Sequence, residues 1–214
     1  MTGVQTCALP IWVAVRALGS ALSGAGGGDL FTGDNDPELI GDALPFALKI
    51  YEALISQDPK NTDLLLTAGT GFVSYANAFV HTPASMLPDE MYKQQKEMYF
   101  RAKNLYMRGK NYALASLDSQ NKGFKAALEE GDIETVYSLL DKKDLSALYW
   151  AGAGWMGAIS MDLFDFQTTL ESYKAVALMV KALDLDETYG QGSVHEFLIT
   201  LYGSMPENMM FRPY

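Results

Sequence analysis

The chain predicts an all-α fold, an array of antiparallel helix pairs stacked into an α-α superhelix. Three observations carry that expectation. Apolar residues recur at spacings of three and four in successive segments, as amphipathic helices require. Asp-Pro, Asn and Gly punctuate those segments where helices start and stop. No run alternates apolar and polar residues beside a hairpin turn, so no strand is expected.

Trp12 to Ser23 places Val13, Ala14, Ala17, Leu18, Ala21 and Leu22 on one helical face, and the glycines of Gly24 to Gly28 end it. Asp29 to Asp36 is an acidic loop closing on Asp36-Pro37. Asp accepts the orphan N–H groups of a helix start, and Pro at the first position has no N–H to leave unpaired, so a helix begins at Pro37. Leu39, Ile40, Ala43, Leu44, Ala47, Leu48, Tyr51 and Leu54 carry its apolar face to about Ile55. Pro45 inside it predicts a kink, or a restart at Ala43-Leu44. Asp58-Pro59 stops that helix, and Asn61 caps the next, from about Thr62 to Val80. Gly69 and Gly71 within it imply close approach of a neighbouring helix or a ligand, because an unused helical glycine only destabilises.

Thr82-Pro83 to Leu87-Pro88 reads as a loop. Pro88-Asp89-Glu90 opens a long, mixed-charge outer helix to about Ser119, with Tyr99, Leu105, Tyr106, Tyr112, Leu114 and Leu117 inward. Gly123 to Glu129 and Asp132 to Leu140 are short helices split at Gly131. Asp144 caps a helix running to Ser160 whose bulk is Leu145, Leu148, Tyr149, Trp150, Trp155 and Ile159, and whose small residues Ala151 to Gly154 admit a close neighbour. Gln167 to Leu185 is the next amphipathic helix, and Ser193 to Leu201 the last.

Three of these helices end alike, at Tyr51-Glu52-Ala53-Leu54, Tyr112-Ala113-Leu114-Ala115-Ser116-Leu117-Asp118 and Val180-Lys181-Ala182-Leu183-Asp184-Leu185-Asp186. Each closes on an Ala/Ser-Leu pair and an acidic turn, as the second helix of a tetratricopeptide unit does. Leu54, Leu117 and Leu183 lie 63 and 66 residues apart, near twice the usual unit of about 34. Stacked pairs that bury their faces against neighbours account for such a spacing, although the full repeat signature is absent.

With 214 residues, 49% of them apolar, the chain can bury one sizeable core. Its formal charge of -10 excludes a phosphate-gripping nucleic-acid surface and disfavours an anionic membrane as partner. The single cysteine, Cys7, excludes an intrachain disulfide and a cysteine-based metal site. No apolar run reaches the roughly 18 residues of a membrane span, and the start lacks the charged and apolar regions of a secretory signal. Met1 to Ile11 resembles the translated read-through of a sequencing adapter. Residues 12–214 are then expected to form a single helical-repeat domain, with Cys7 no part of the natural protein and the natural start, with any export signal, cut off.

Candidate sites are few. Asp34, Asp36, Glu38 and Asp42 cluster oxygen ligands that suit a cation, but without EF-hand spacing, and capping explains them as well. His195-Glu196 sits on a helix with His81 remote in sequence; without partners at ligand spacing, His195 is expected to be packed and hydrogen-bonded. Tyr75, Asn77 and Phe79, with Tyr149, Trp150 and Trp155, form an aromatic group that either builds the core or lines a cavity, since ligand sites are mostly apolar with a few placed polar groups. No G-x-S-x-G, P-loop, H-E-x-x-H or paired Cys/His motif occurs, so no catalysis, cofactor or metal is expected.

A longer series of matches points to a family. Ala21-Leu22-Ser23-Gly24, Phe31-Thr32, Asp34-Asn35-Asp36-Pro37-Glu38-Leu39, Asp42-Ala43-Leu44-Pro45-Phe46-Ala47-Leu48-Lys49, Leu64-Leu65-Leu66, Tyr75-Ala76-Asn77-Ala78-Phe79, Leu105-Tyr106, Leu148-Tyr149-Trp150, Ala182-Leu183-Asp184-Leu185 and His195-Glu196-Phe197-Leu198-Ile199 occur in order. Together they resemble the T component (TatT) of tripartite ATP-independent periplasmic (TRAP) transporters. The resemblance implies a non-enzymatic, periplasmic, lipid-anchored accessory protein with tetratricopeptide-like helix pairs. It further implies assembly with itself, as a trimer, and with the transporter's substrate-binding protein, and a channel or pocket for a small, hydrophobic ligand. Tyr75, Asn77, Phe79, Tyr149, Trp150, Trp155 and His195 are the candidate ligand residues under that reading. Two departures qualify it. The family's lipid-bearing cysteine precedes the region of Ala21, and family members continue with further helices beyond the region of Pro206-Glu207, so the last pair is expected to be missing here. The alternatives are a generic helical scaffold gripping a peptide or protein, and an enzyme built on His195 and Glu196, which would need a polar cleft and a third group.

Overall fold

A computed structural model describes residues 34–204. The helix expected over Trp12 to Ser23, the glycine break after it and the Pro206-Glu207 region lie outside these residues. The described chain is helical, with no strand among the described residues. Its helices are α1 (Pro37–Gln57), α2 (Thr62–Tyr75), a π-helical segment (Ala76–His81), α3 (Thr82–Ser85), α4 (Tyr92–Gln120), α5 (Phe124–Glu130), α6 (Ile133–Leu139), α7 (Leu145–Met161), α8 (Phe166–Leu170), α9 (Ser172–Leu185) and α10 (Ser193–Ser204). Short 3-10 turns at Asp89–Met91, Lys142–Asp144 and Tyr189–Gln191 lead into α4, α7 and α10.

The main helices pack in chain order, α1 on α2, α2 on α4, α4 on α7, α7 on α9 and α9 on α10, with α2 also touching α7. Two apolar clusters result. One joins α1, α2 and the amino-terminal half of α4 around Leu48, Leu64, Phe72 and Tyr106. The other joins the rest of α4 to α5, α6, α7, α9 and α10 around Leu117, Phe124, Leu148, Met179 and Val194. Glycines let the middle of the stack close. A Cβ on Gly109 of α4 would lie 2.8 Å from the Gly69 carbonyl of α2, and one on Gly154 of α7 would lie 3.1 Å from the Tyr106 carbonyl of α4. Gly69 and Gly154 therefore mark the close helix approaches read from the sequence, and Gly71 accommodates Leu48.

Several expectations change. α1 runs through Pro45 without a restart, because Leu44, Leu48, Tyr51 and Leu54 bury one continuous stripe on both sides of it; tertiary packing outweighs the lost bond to the Gly41 carbonyl. Leu39 and Ala43, read as part of that face, are exposed; in the same turns it is Gly41 that meets a neighbour, the ring of Phe79. α2 does not end in a loop after Val80 but widens into the π segment and continues as α3. Thr82 N–H closes this wider turn on the Asn77 carbonyl, and a wider turn is one way for a helix to meet Pro83 without its ring striking the carbonyl four residues back.

The expected Gln167–Leu185 helix is broken at Glu171 into α8 and α9. Asp165 caps α8, accepting from Thr168 N–H at 3.3 Å and Thr168 Oγ1 at 2.7 Å, and Lys103 of α4 binds both Asp162 (2.8 Å) and Asp165 (2.9 Å). Asp144 starts α7 but does not cap it with its side chain. Its buried carboxylate instead accepts from Asn121 Nδ2 at 2.8 Å and Asp141 N–H at 3.0 Å, tying the α6–α7 turn to the end of α4. The 63- and 66-residue intervals are unequal in content: one enlarged pair, α2 with its π extension and the 29-residue α4, fills the first. The second holds the short pair α5–α6 and the pair α7–α9.

Candidate functional site

The π segment sets the geometry. Its extra residue per turn rotates the chain so that Asn77 and His81 both reach across to Tyr106 of α4. Asn77 Nδ2 donates to Tyr106 Oη at 3.1 Å, and His81 Nδ1 lies 3.1 Å from the same oxygen. A tyrosine hydroxyl has one proton to give. Accepting from Asn77, Tyr106 donates to His81 Nδ1, which assigns the histidine proton to Nε2. Burial lowers the His81 pKa from its ordinary value, in the same neutral direction. Burial likewise raises the Tyr106 pKa, with the Asn77 bond opposing in part. The Tyr106 ring, 2% exposed, fits because Gly157 of α7 leaves room: a Cβ there would stand 2.7 Å from the ring.

These groups line a groove of about 600 Å³ between α2, the π segment, α4, α7 and α10. Tyr149, Trp150, Ala153 and Met156 of α7 form one wall. Ser193, Glu196, Phe197 and Thr200 of α10 form the facing one. Tyr149 and Trp150 meet edge to face at 5.3 Å, and Tyr149 also tilts against Tyr189 at 5.5 Å. Burial raises the pKa of Tyr149, so its hydroxyl stays protonated at neutral pH. The α7 wall is mainly apolar, while the α10 wall sets Ser193, Glu196 and Thr200 beside Phe197, a mixture that suits binding and orienting a small molecule.

Of the residues singled out in the sequence, Asn77, Tyr149 and Trp150 line this groove. Tyr75 does not; it is buried, stacks on Phe79 at 5.5 Å and accepts from Arg101 Nη2 at 3.3 Å. Phe79 covers Gly41 of α1, where a Cβ would come within 2.9 Å of the ring. Trp155 lies on another face of α7 and borders a separate cavity. His195 is exposed, contrary to the packed histidine expected. The inward positions of α10 are taken by Val194, Leu198 and Leu201, and His195 is not among the groove residues although the adjacent Glu196 is.

Asp34, Asp36 and Asp42 are exposed. Asp34 accepts from Asp36 N–H at 2.9 Å, and Asp36 accepts from Leu39 N–H at 3.0 Å, as a helix cap does. No cluster of three or more His, Cys, Asp or Glu suited to a metal ion occurs among the described residues. The sequence reading passed over His81 and treated Tyr106 as plain core. The one available signal was a polar and aromatic run, Asn77 to His81, ending on Thr82-Pro83, where a helix has to deform.

A protein of Treponema pallidum (strain Nichols), described as an uncharacterized protein, is 36% identical over 182 residues, which cover 84% of this chain. The chain spans 56% of that relative's length. A family model described as TRAP transporter T-component matches residues 33–210, taking in α1 to α10 and every groove residue named above. The chain thus belongs to the TRAP transporter T-component family.

Proposed function

We propose that this chain is the ligand-holding part of a non-enzymatic, periplasmic accessory component of TRAP-type solute uptake, which associates with the substrate-binding protein and with copies of itself. Membrane attachment in this reading comes through a lipid anchor, and no helix among the described residues is long and apolar enough to cross a membrane. The observation that carries the reading is the groove. A groove of about 600 Å³ has the size of a small-molecule site, and the Asn77–Tyr106–His81 cluster is its most firmly held polar group. Asn77 and His81 hold the Tyr106 hydroxyl inside the protein, and both side chains also line the groove, which makes them the polar contacts of this reading. That pair orients a ligand, and the hydroxyls of Ser74, Ser160, Ser193 and Thr200 in the same lining offer it further hydrogen bonds.

The test has two arms. N-phenyl-1-naphthylamine, a neutral fluorescent probe, is expected to bind the chain and to lose that binding in Ala153→Trp, which fills the slot from the α7 wall. Undiminished probe binding in Ala153→Trp overturns the groove. Co-purification with the solute-binding protein encoded beside the gene is expected in the second arm, and failure to form a complex with or without ligands overturns the association.

A further inference from the structure

The groove lining carries one carboxylate, that of Glu196, and no lysine or arginine among the described residues. His81 adds no positive charge near neutral pH, because burial lowers its pKa and Tyr106 donates to its Nδ1. The chain around the groove has a formal charge of -10. Its field therefore draws cations toward the surface and repels anions.

Glu196 stands where a guest can use it. Ser193, Glu196, Phe197 and Thr200 recur at spacings of three and four on α10, which puts them on one helical face, the face that lines the groove. The charge of Glu196 is felt at Tyr149 on the α7 wall. Burial is the main cause of the raised Tyr149 pKa, a bond from Ser193 opposes it, and the charges of Tyr189 and Glu196 add to it. The carboxylate is exposed and has no lysine or arginine paired with it among the described residues. Aromatic rings lie beside it: Tyr149 meets Trp150 at 5.3 Å and Tyr189 at 5.5 Å, and Phe197 is next in the lining. The faces of such rings attract cations, quaternary ammonium ions among them.

We infer that the groove takes a small organic ammonium ion, its positive charge held between Glu196 and the rings of Tyr149 and Trp150 and its hydrocarbon part against Ala153 and Met156. The inference rests on the groove reading above and names the kind of guest the groove selects. A neutral guest gains nothing from Glu196. An organic anion meets both that carboxylate and the field of an acidic chain. An ammonium ion gains from the carboxylate and from the rings together, and because Glu196 is open to water its own share is the smaller one.

Choline and 3,3-dimethylbutan-1-ol, which has its shape without its charge, are the probes, and 3,3-dimethylbutanoate is the comparison anion. The readout is the indole N–H resonance of Trp150 in a 15N-labelled chain, assigned through Trp150→Phe, with sodium chloride holding the ionic strength constant. Choline is expected to shift that resonance in a saturable way and to bind about fivefold or more tightly than the alcohol, with the anion weakest of the three. Glu196→Gln keeps the size and loses the charge at an exposed position, and is expected to cut choline's advantage over the alcohol by about threefold. An alcohol that binds as tightly as choline, an anion that binds more tightly, or an undiminished advantage in Glu196→Gln overturns the cation assignment and leaves the groove standing. Binding of N-phenyl-1-naphthylamine without any shift from choline does the same. No binding of that dye and no shift from any of the three overturns the groove itself, and the cation assignment with it.

Discussion

The Asn77–Tyr106–His81 cluster works only while His81 is neutral. A protonated imidazole would turn Nδ1 into a donor, so the Tyr106 hydroxyl would have to accept from both neighbours and leave its own proton unused. The lowered His81 pKa expresses this preference, with burial as its cause. The folded chain therefore takes up that proton less readily than the unfolded one. His81's contribution is complete above its ordinary value of 6.5 and is lost as pH falls through the lower folded value. Urea denaturation at a series of pH values is expected to show stability declining below pH 6.5, with a shallower decline in that window for His81→Gln. A wild-type decline no steeper than the variant's would contradict the lowered His81 pKa. None of this was legible in the residues themselves. Tyr106 reads from its spacing as one more inward aromatic of a long helix, and only the three-dimensional path of the π segment shows that its hydroxyl has two partners.

Among the elements, α2, α4 and α7 matter most, because their backbones touch. The Gly109 contact is the sensitive one. An added Cβ would meet the Gly69 carbonyl at 2.8 Å and Val73 Cγ2 at 2.6 Å. Val73 could turn aside, but a carbonyl in the middle of a helix cannot, so α2 and α4 would have to separate. Gly109→Ala is expected to cost about 1–3 kcal/mol, as overpacking does, even though Ala is the better helix former. Chemical denaturation measures it, and a gain in stability would show that the two helices are not held in contact. The helix borders were readable where a cap or a breaker stands: Asp36-Pro37 opens α1 and Asn61 caps α2 as the sequence implied, with Asn61 Oδ1 accepting from Leu64 N–H at 3.1 Å. They were not readable where tertiary contacts decide. Lys103 drawing Asp162 and Asp165 onto α4 accompanies the break between α8 and α9, and no local pattern records a partner some 60 residues away.

At the scale of the whole molecule, packing in chain order makes the structure a stack in which each helix depends mainly on its neighbours. The all-α class was legible because amphipathic period and capping are local, whereas equal repeats were inferred from spacing that the structure fills unequally. Helices with unequal cover open locally at different free energies, each set by the interfaces it has. α4 is covered by α2 on one side and α7 on the other, and α7 by α4 and α9. α10 rests chiefly on α9, with Ile199 71% exposed, and α8 leaves Phe166 and Leu170 largely in solvent. Native-state hydrogen exchange is expected to show amides of α8 and α10 exchanging first, through local opening. Those of α4 and α7 around Ala113 and Ala151 should exchange last, near the global limit. The groove inherits this order, since its α10 wall belongs to the labile end and Tyr106 to the stable middle. A ligand bridging Tyr106 and Phe197 should then slow exchange in α10 far more than in α4. Equal protection of α10 and α4 without ligand would mean that the stack opens as one unit, and that the groove has no separately mobile wall.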